Sequence, residues 1–544
     1  MNSVEYNGYK IQKIYDVADE LGLDKDIILP HGHFIAKVPV SVLEQNSNKP
    51  DGKLILVTAM TPTPQGEGKT TTTIGLGDAL RHLGHKTSIC LREPSLGPYF
   101  GIKGGGTGAG KSQVMPAEDI NLHFVGDMYS VSKANNLLAA MIDNHLQHGN
   151  ELNIDPRRII WRRVIDLNDR ALRQIFIGMG GTSNGVPRQD GFNITPASEV
   201  MAMLCLARNF QDLGERLART IVGFTWKGEP VRARDFEAEG AMQILLRDTI
   251  HPNLVQTMEG TPAFVHGGPF ANIAQGTNTA IATRMALKLT DYVVTEAGFA
   301  TDLGAEKFFD IKCRTAGLTP SAVVIVATIK AIKYHGWKNK NGGFANLEKH
   351  VDNIRQFGYE PIVAINRFDD DTEDELNEVK EHFALTGTKV IVSTHYSKGG
   401  EGAIELAEAV TDSIKKRGNK EIKFQYPLEM PVKEKIITLA RNLYGAEGVD
   451  FSSKFCSDME LIERHGYGQL PICIAKSSKS LSDNDKLIGR PEGFKITVNE
   501  ARVSAGAGFI VIICGNIMTM PGLPKVPAAT KMKMLPDGKV IGLR

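Results

Sequence analysis

Short apolar runs rich in β-branched residues alternate with stretches of helical spacing, which predicts an α/β fold built on a doubly wound, mostly parallel sheet. Runs such as Lys53 to Ala59 (KLILVTA) and Ala322 to Ala327 (AVVIVA) are continuous rather than alternating, the pattern of strands buried on both faces. A glycine-rich stretch, Thr63 to Thr70 (TPQGEGKT), lies between the first of these runs and an apolar-periodic stretch from Thr71 to Leu83. Strand, glycine loop and helix in that order make the sheet one of the P-loop NTPase type. With 544 residues the chain exceeds one ordinary core, and two smaller additional domains are expected beside the large one.

Taken in order, Met1 to Pro50 reads as an extension with a helix over Ile11 to Leu21 and no chemistry of its own. In the glycine loop the backbone amides and the start of the following helix point at a β-phosphate. Lys69 reaches the β/γ oxygens and the Thr70 hydroxyl is free for Mg²⁺. Thr63, Pro64, Gln65, Gly66, Glu67, Gly68, Lys69 and Thr70 are therefore the candidate nucleotide site. Thr63 stands where such loops carry their first glycine and Pro64 follows it, so the loop entry must have ordinary negative φ.

The next strand, Lys86 to Leu91, ends at Arg92 and Glu93, in the crevice where α/β sheets place ligands. Position alone admits a ligand contact or a surface ion pair. Gly105 to Ser112 (GGTGAGKS) fits the nucleotide string better than the first loop does, but its context fails. Pro94 and Pro98 stand where its strand would run, and Pro116 where its helix would begin. It reads as a mobile glycine loop able to close over phosphates or as a plain linker. His123 and Asp127 then either line a site or fill structure.

Ile159 to Ile165 is expected as a strand, and Thr195 as the N-cap of a helix over Ala197 to Arg208. The strand from Asp291 to Gly298 ends on Glu296, a carboxylate that either holds Mg²⁺ or caps the loop. A glycine-containing loop surrounds Gly342. Strands Pro361 to Asn366 and Lys389 to Ser393 exit at Phe368 and Tyr396, placed to face each other across a flat ring or simply to pack. Near the end, Phe509 to Cys514 is a strand, and the prolines of Met518 to Ala529 forbid regular structure.

Lys and Arg total 63 against 62 Asp and Glu, so no global field recruits nucleic acid or an anionic membrane. No apolar run reaches spanning length and the first residues lack a signal pattern, which sets the expectation of a soluble, cytoplasmic protein. Six scattered cysteines without a C-x-x-C pair suit a reducing compartment.

Eight stretches together resemble one family, formate–tetrahydrofolate ligase. They are MTPTPQGEGKTTTTIGLGDAL, LREPSLGPYFGIKGG, EDINLHF, WRRVIDLNDRALR, HGGPFANIAQG, TEAGFATDLGAEKF, AINRF and MTMPGLPKVPAA, in order from Met60 to Ala529. The resemblance implies ATP-dependent joining of formate to N10 of tetrahydrofolate through formyl phosphate, giving 10-formyltetrahydrofolate, ADP and phosphate. It implies that Lys69 holds the transferring phosphoryl group and that Arg92 beside Glu93 holds formate. Mg²⁺ would sit at Thr70 and Glu296, and Asp127 or His123 would take the N10 proton. Phe368 and Tyr396 would bracket the folate ring, with Tyr396 where tryptophan is usual. Gln275 replaces a common histidine, and Gly110-Lys111-Ser112 a usual glycine and aromatic. A homotetramer activated by a monovalent cation, K⁺ or NH₄⁺, is the accompanying expectation. The domains expected are residues 1–345, with the nucleotide loop; 346–425, contributing to the folate site; and 426–544. The rival class is a nucleotide-driven switch, whose loops usually carry lysine where Pro64 stands here.

Overall fold

In the computed structural model every residue is described except 1, 2, 7, 102, 103, 337–342, 516, 539 and 544. The loop expected around Gly342 lies outside the described residues, as do two positions at the start of the second glycine loop. A 12-stranded sheet organises the chain. Its members are β1 (Leu29–His31), β2 (Ile35–Lys37), β3 (Lys53–Ala59), β4 (Thr87–Leu91), β5 (Gly108–Ala109), β6 (Ser112–Met115), β7 (Asn253–Thr257), β8 (Pro262–Val265), β9 (Tyr292–Glu296), β10 (Ala322–Ala327), β11 (Ile362–Asn366) and β12 (Lys389–Ser393). The order is β12-β11-β10-β3-β9-β4-β8-β7-β2-β1, with β6 on β7 and β5 on β6. From β12 to β8 all neighbours are parallel, and the remaining pairs are antiparallel. The chain is thus a mixed α/β protein with a large, mostly parallel central sheet.

The continuous apolar runs are explained by burial on both faces. Leu54, Leu56, Val293, Val323, Ile325, Val363 and Ile365 belong to one core cluster, with Ile281, Met285 and Ala286 of the helix Ala280–Leu289. Their alternating neighbours Ile55, Val57, Ala59, Val294, Val324, Val326 and Ala364 belong to another, with Leu76, Ala79 and Leu80 of α1 (Lys69–His82). Helices cover both faces, so no strand face carries a polar alternation.

The strands of residues 346–425 continue the central sheet by parallel pairing, β11 on β10 and β12 on β11. Beyond them a four-stranded sheet is formed by Gly448–Phe451, Lys495–Ser504, Phe509–Cys514 and Ile472–Ala475, in that spatial order. Three sequence expectations need correction. The strand expected over Ile159 to Ile165 is confined to Arg163–Ile165. The helix after Thr195 starts at Glu199, and its N-cap is Ser198, whose hydroxyl accepts from the Met201 amide; Thr195 opens a 3₁₀ turn instead. The first 50 residues do more than wrap the body, since β1 and β2 extend the sheet.

Candidate active site

The glycine loop leaves the carboxyl end of β3, at the centre of the parallel strands, and enters α1 at Lys69. Thr63 and Pro64 stay out of the left-handed region, whereas Gly66 and Gly68 have φ of 82° and 76°. A Cβ at Gly68 would lie 2.4 Å from Asn366 Nδ2, so glycine is required there for space as well as for φ. The Glu67 side chain, expected only as one member of the loop, ties the loop shut. Its Oε1 accepts the Thr63 amide at 2.7 Å and its Oε2 accepts the Thr328 hydroxyl at 2.7 Å. Just upstream, the Thr61 amide donates to Nε2 of buried His350 at 2.9 Å. Burial pushes that imidazole down to about 3, so the ring is neutral and its Nδ1 proton goes to Thr301 Oγ1 at 2.6 Å.

Four expected residues converge at the strand ends. The Thr70 hydroxyl donates to Glu296 Oε2 at 2.7 Å, although 226 positions separate the two. Arg92 Nε lies 3.7 Å from Glu296 Oε1 and, buried, has no hydrogen-bond partner. Lys69 is crowded into the same corner. Burial lowers its ammonium below the usual lysine range, Glu296 and Glu67 oppose the shift, and Arg92 adds to it. A Cβ at Gly298 would come within 2.9 Å of Arg92 Nη1, so that glycine clears room for the guanidinium. Its neighbour Phe299 has φ of 58°, a left-handed conformation rare for an aromatic residue.

Glu93 and Asp127 lie next to this corner but are differently engaged. The Glu93 carboxyl is buried, with Oε2 lacking a partner. Burial raises it well above the usual carboxylate range, Asp127 raises it further, and Lys37 partly offsets both. Asp127 is not an open base. Lys37 Nζ donates to its two oxygens at 2.9 and 3.0 Å, and Asn253 Nδ2 to its Oδ2 at 2.8 Å. Lys37 comes from β2, in the extension expected to carry no chemistry, and a lone buried lysine in an apolar strand gave no signal. His123 is exposed.

Phe368 and Tyr396 leave neighbouring strands, since Asn366 and Ser393 are register partners in β11 and β12. The rings do not stack on one another. Lys330 Nζ sits 4.5 Å over the Phe368 ring, and Tyr396 is 51% exposed. The second glycine loop is not free-standing. It folds into the β5–β6 hairpin, where the Lys111 amide donates to the Tyr396 carbonyl at 2.8 Å and Ser112 Oγ to the His395 carbonyl at 2.9 Å. A Cβ on Gly110 would sit 2.2 Å from the Tyr396 oxygen. His395 itself is buried and neutral, pushed down to about 4 by burial, with Nδ1 at 2.7 Å from Ser393 Oγ and Nε2 at 3.2 Å from Thr72 Oγ1.

This arrangement defines the class: an α/β protein whose cationic and carboxylate groups gather where parallel strands end, the place where such sheets bind small ligands. The model of the formate–tetrahydrofolate ligase family matches residues 5–544, and the chain belongs to that family. It is accordingly a formate–tetrahydrofolate ligase, of a family that is ATP-dependent, takes tetrahydrofolate as substrate and serves one-carbon metabolism. Among the described residues no helix is long and apolar enough to cross a membrane.

Proposed function

We propose that ligation runs through formyl phosphate in a P-loop site built on Thr63 to Thr70. The observation that carries this reading is the corner of Lys69, Thr70, Arg92 and Glu296, where two fixed cations and a carboxylate-bound hydroxyl meet at a helix N-terminus. Formate is a poor acyl donor because its carboxylate has no good leaving group. A formate oxygen attacks the γ-phosphorus of ATP, the bond to ADP breaks, and the carbonyl becomes part of a mixed anhydride. Both reactants are anions, so Arg92 and Lys69 offset their repulsion, and the amides of the loop and of the α1 N-terminus hold the phosphates. N10 of tetrahydrofolate then attacks the formyl carbon, phosphate leaves with the bridging oxygen, and the proton from N10 goes to the departing phosphate.

Thr70 and Glu296 are the residues that would hold Mg²⁺, and their hard oxygen donors, 2.7 Å apart, fit it. When bound there the ion would neutralise charge on the β- and γ-phosphate oxygens. Asp127 is saturated by Lys37 and Asn253, so its role is to anchor Lys37 and to set the charge around Glu93. The gap between Phe368 and Tyr396 takes the folate ring, with residues 346–425 supplying that side of the site. The expectations of a homotetramer, cytoplasmic location and monovalent-cation activation stand with this reading.

Incubation with ATP, Mg²⁺, formate and tetrahydrofolate, read after acidification as the methenyl folate, tests the activity. A signal that needs every component and disappears in Lys69→Ala supports the assignment, and a signal unaffected by Lys69→Ala overturns it. With ¹⁸O-labelled formate, formyl phosphate requires one labelled oxygen in the phosphate released. Unlabelled phosphate would exclude the intermediate.

A further inference from the structure

Away from the strand ends, a cavity of about 490 Å³ opens beside the helix α2 (Ala345–Gln356), lined by Lys349, Asp352, Arg355, Gln356, Lys423 and Arg490. Four cationic side chains therefore face one carboxylate. They come from three separate stretches. Lys349, Asp352, Arg355 and Gln356 lie at helical spacing on α2. Lys423 is held at the end of that helix by the hydrogen bond its amide donates to the Phe357 carbonyl, and Arg490 follows Gly489, whose amide donates to His335 Nδ1.

The charges are unevenly compensated. Arg355 has Glu360 at 3.1 Å and Asp352 at 3.8 Å, and its Nη2 also donates to the Thr386 carbonyl and the Thr388 hydroxyl. Arg490 approaches Glu348 only to 4.0 Å, and neither Lys349 nor Lys423 forms an ion pair with any described residue. Lys349 is the notable member, because it is only 7% exposed and its ammonium has the Asn442 carbonyl as partner. Burial, and then the charge of Arg490, push that ammonium down to about 8, while Asp352 and Asp302 oppose the shift only in part. A buried cation with no direct ion pair is costly, and a bound anion would offset that cost.

We propose that this cavity is a binding site for a small polyanion, a compound carrying several phosphate or carboxylate groups, distinct from the strand-end site. Its volume falls in the ordinary range of small-molecule sites, about 300–1,000 Å³. Arg490 offers a planar fork to one anionic group, and Lys349 and Lys423 offer point charges to others. The site lies on the opposite side of α2 from His350, which holds the Thr61 amide at the entry to the glycine loop.

Isothermal titration of the full chain with tripolyphosphate and, separately, with tri-γ-glutamate tests the proposal. The native chain should bind at least one probe at the cavity, and Lys423→Glu/Arg490→Glu should lose that site by at least about tenfold in affinity. The milder Arg490→Gln should weaken it by a smaller factor, and higher salt should weaken it further. Binding of tripolyphosphate alone assigns a phosphate ligand, and binding of the glutamate peptide assigns a polycarboxylate. Lys69→Ala separates the two sites, because it should spare the cavity while disabling the glycine loop. If every bound probe is lost in Lys69→Ala, or the charge-reversed chain binds both probes as the native chain does, the cavity is no polyanion site.

Discussion

Thr63 to Thr70 and Gly105 to Ser112 both end in glycine, lysine and a hydroxyl residue, and the second fits the nucleotide string better, yet the fold treats them differently. Gly68 and Gly110 are alike in their left-handed backbone, with φ of 76° and 62°. After Gly68 the chain enters a 14-residue helix, whereas after Gly110 it turns back as the short strand β6. Lys69 is pressed against Glu296, Glu67 and Arg92, while Lys111 is exposed. The Thr70 hydroxyl meets a carboxylate at the strand ends, whereas the Ser112 hydroxyl meets a backbone carbonyl. The flanking strand and helix, and not the string itself, thus decide where its lysine and hydroxyl come to lie.

The largest effect that sharpens this contrast is Lys69→Ala, expected to lower ligation by roughly a hundred- to a thousandfold, against at most about twofold for Lys111→Ala. Equal losses in the two variants, measured by methenyl formation, would remove the distinction. Next comes Gly110→Ala, which forces a Cβ onto the Tyr396 carbonyl in a left-handed turn. The KM for tetrahydrofolate should rise by about tenfold, a shift of about 1.4 kcal/mol, with the KM for ATP little changed. A selective rise in the KM for ATP would show instead that the hairpin serves the nucleotide.

A third prediction concerns the helix behind the first loop. Asp78, buried in α1, accepts the Thr257 and Thr261 hydroxyls on one oxygen, yet burial pushes it up to about 7. A raised carboxyl pKa means the folded form keeps its proton at a pH where the unfolded form has lost it. Its stabilising contribution is full below about 4 and is lost as pH rises through about 7. Denaturant midpoints between those values should fall for the native chain and stay flatter for Asp78→Asn. The smallest expected effect belongs to Thr72→Val, which removes the link from α1 to His395. A stability loss of about 1 kcal/mol by denaturant titration is expected, and no loss would mean the two loops are not tied through that ring.

The central strands were legible because burial on both faces leaves them apolar throughout; β10 and β12 occupy the predicted residues. The place of Glu296 at the end of β9 was legible from the strand pattern alone. β7 was not, since its Asn253 and Gln256 are buried polar residues satisfied by distant partners, Asp127 and Gln12. Lys37 and His350 escaped for the same reason, each being a single polar residue whose partners lie far away in sequence, and His395 joins Ser393 two positions before it to the distant Thr72. Ser198 rather than Thr195 caps its helix because Pro196 lies in a 3₁₀ turn that delays the helix by one step. In the N-terminal extension β2 was hidden by shortness, at three residues.

The position of β3 in the sheet has a consequence for how the molecule is made. Its two hydrogen-bonded neighbours are β9 and β10, neither of which is adjacent to it in the chain. During synthesis from the N-terminus the strand that launches the glycine loop therefore emerges long before either partner exists. Until Ala327 has left the ribosome it has at least one bare edge, exposed to wrong pairing and to chaperones. The pairing of the strand that launches the glycine loop is thus completed late in the life of a nascent chain, and a truncation within β10 should yield an aggregating fragment.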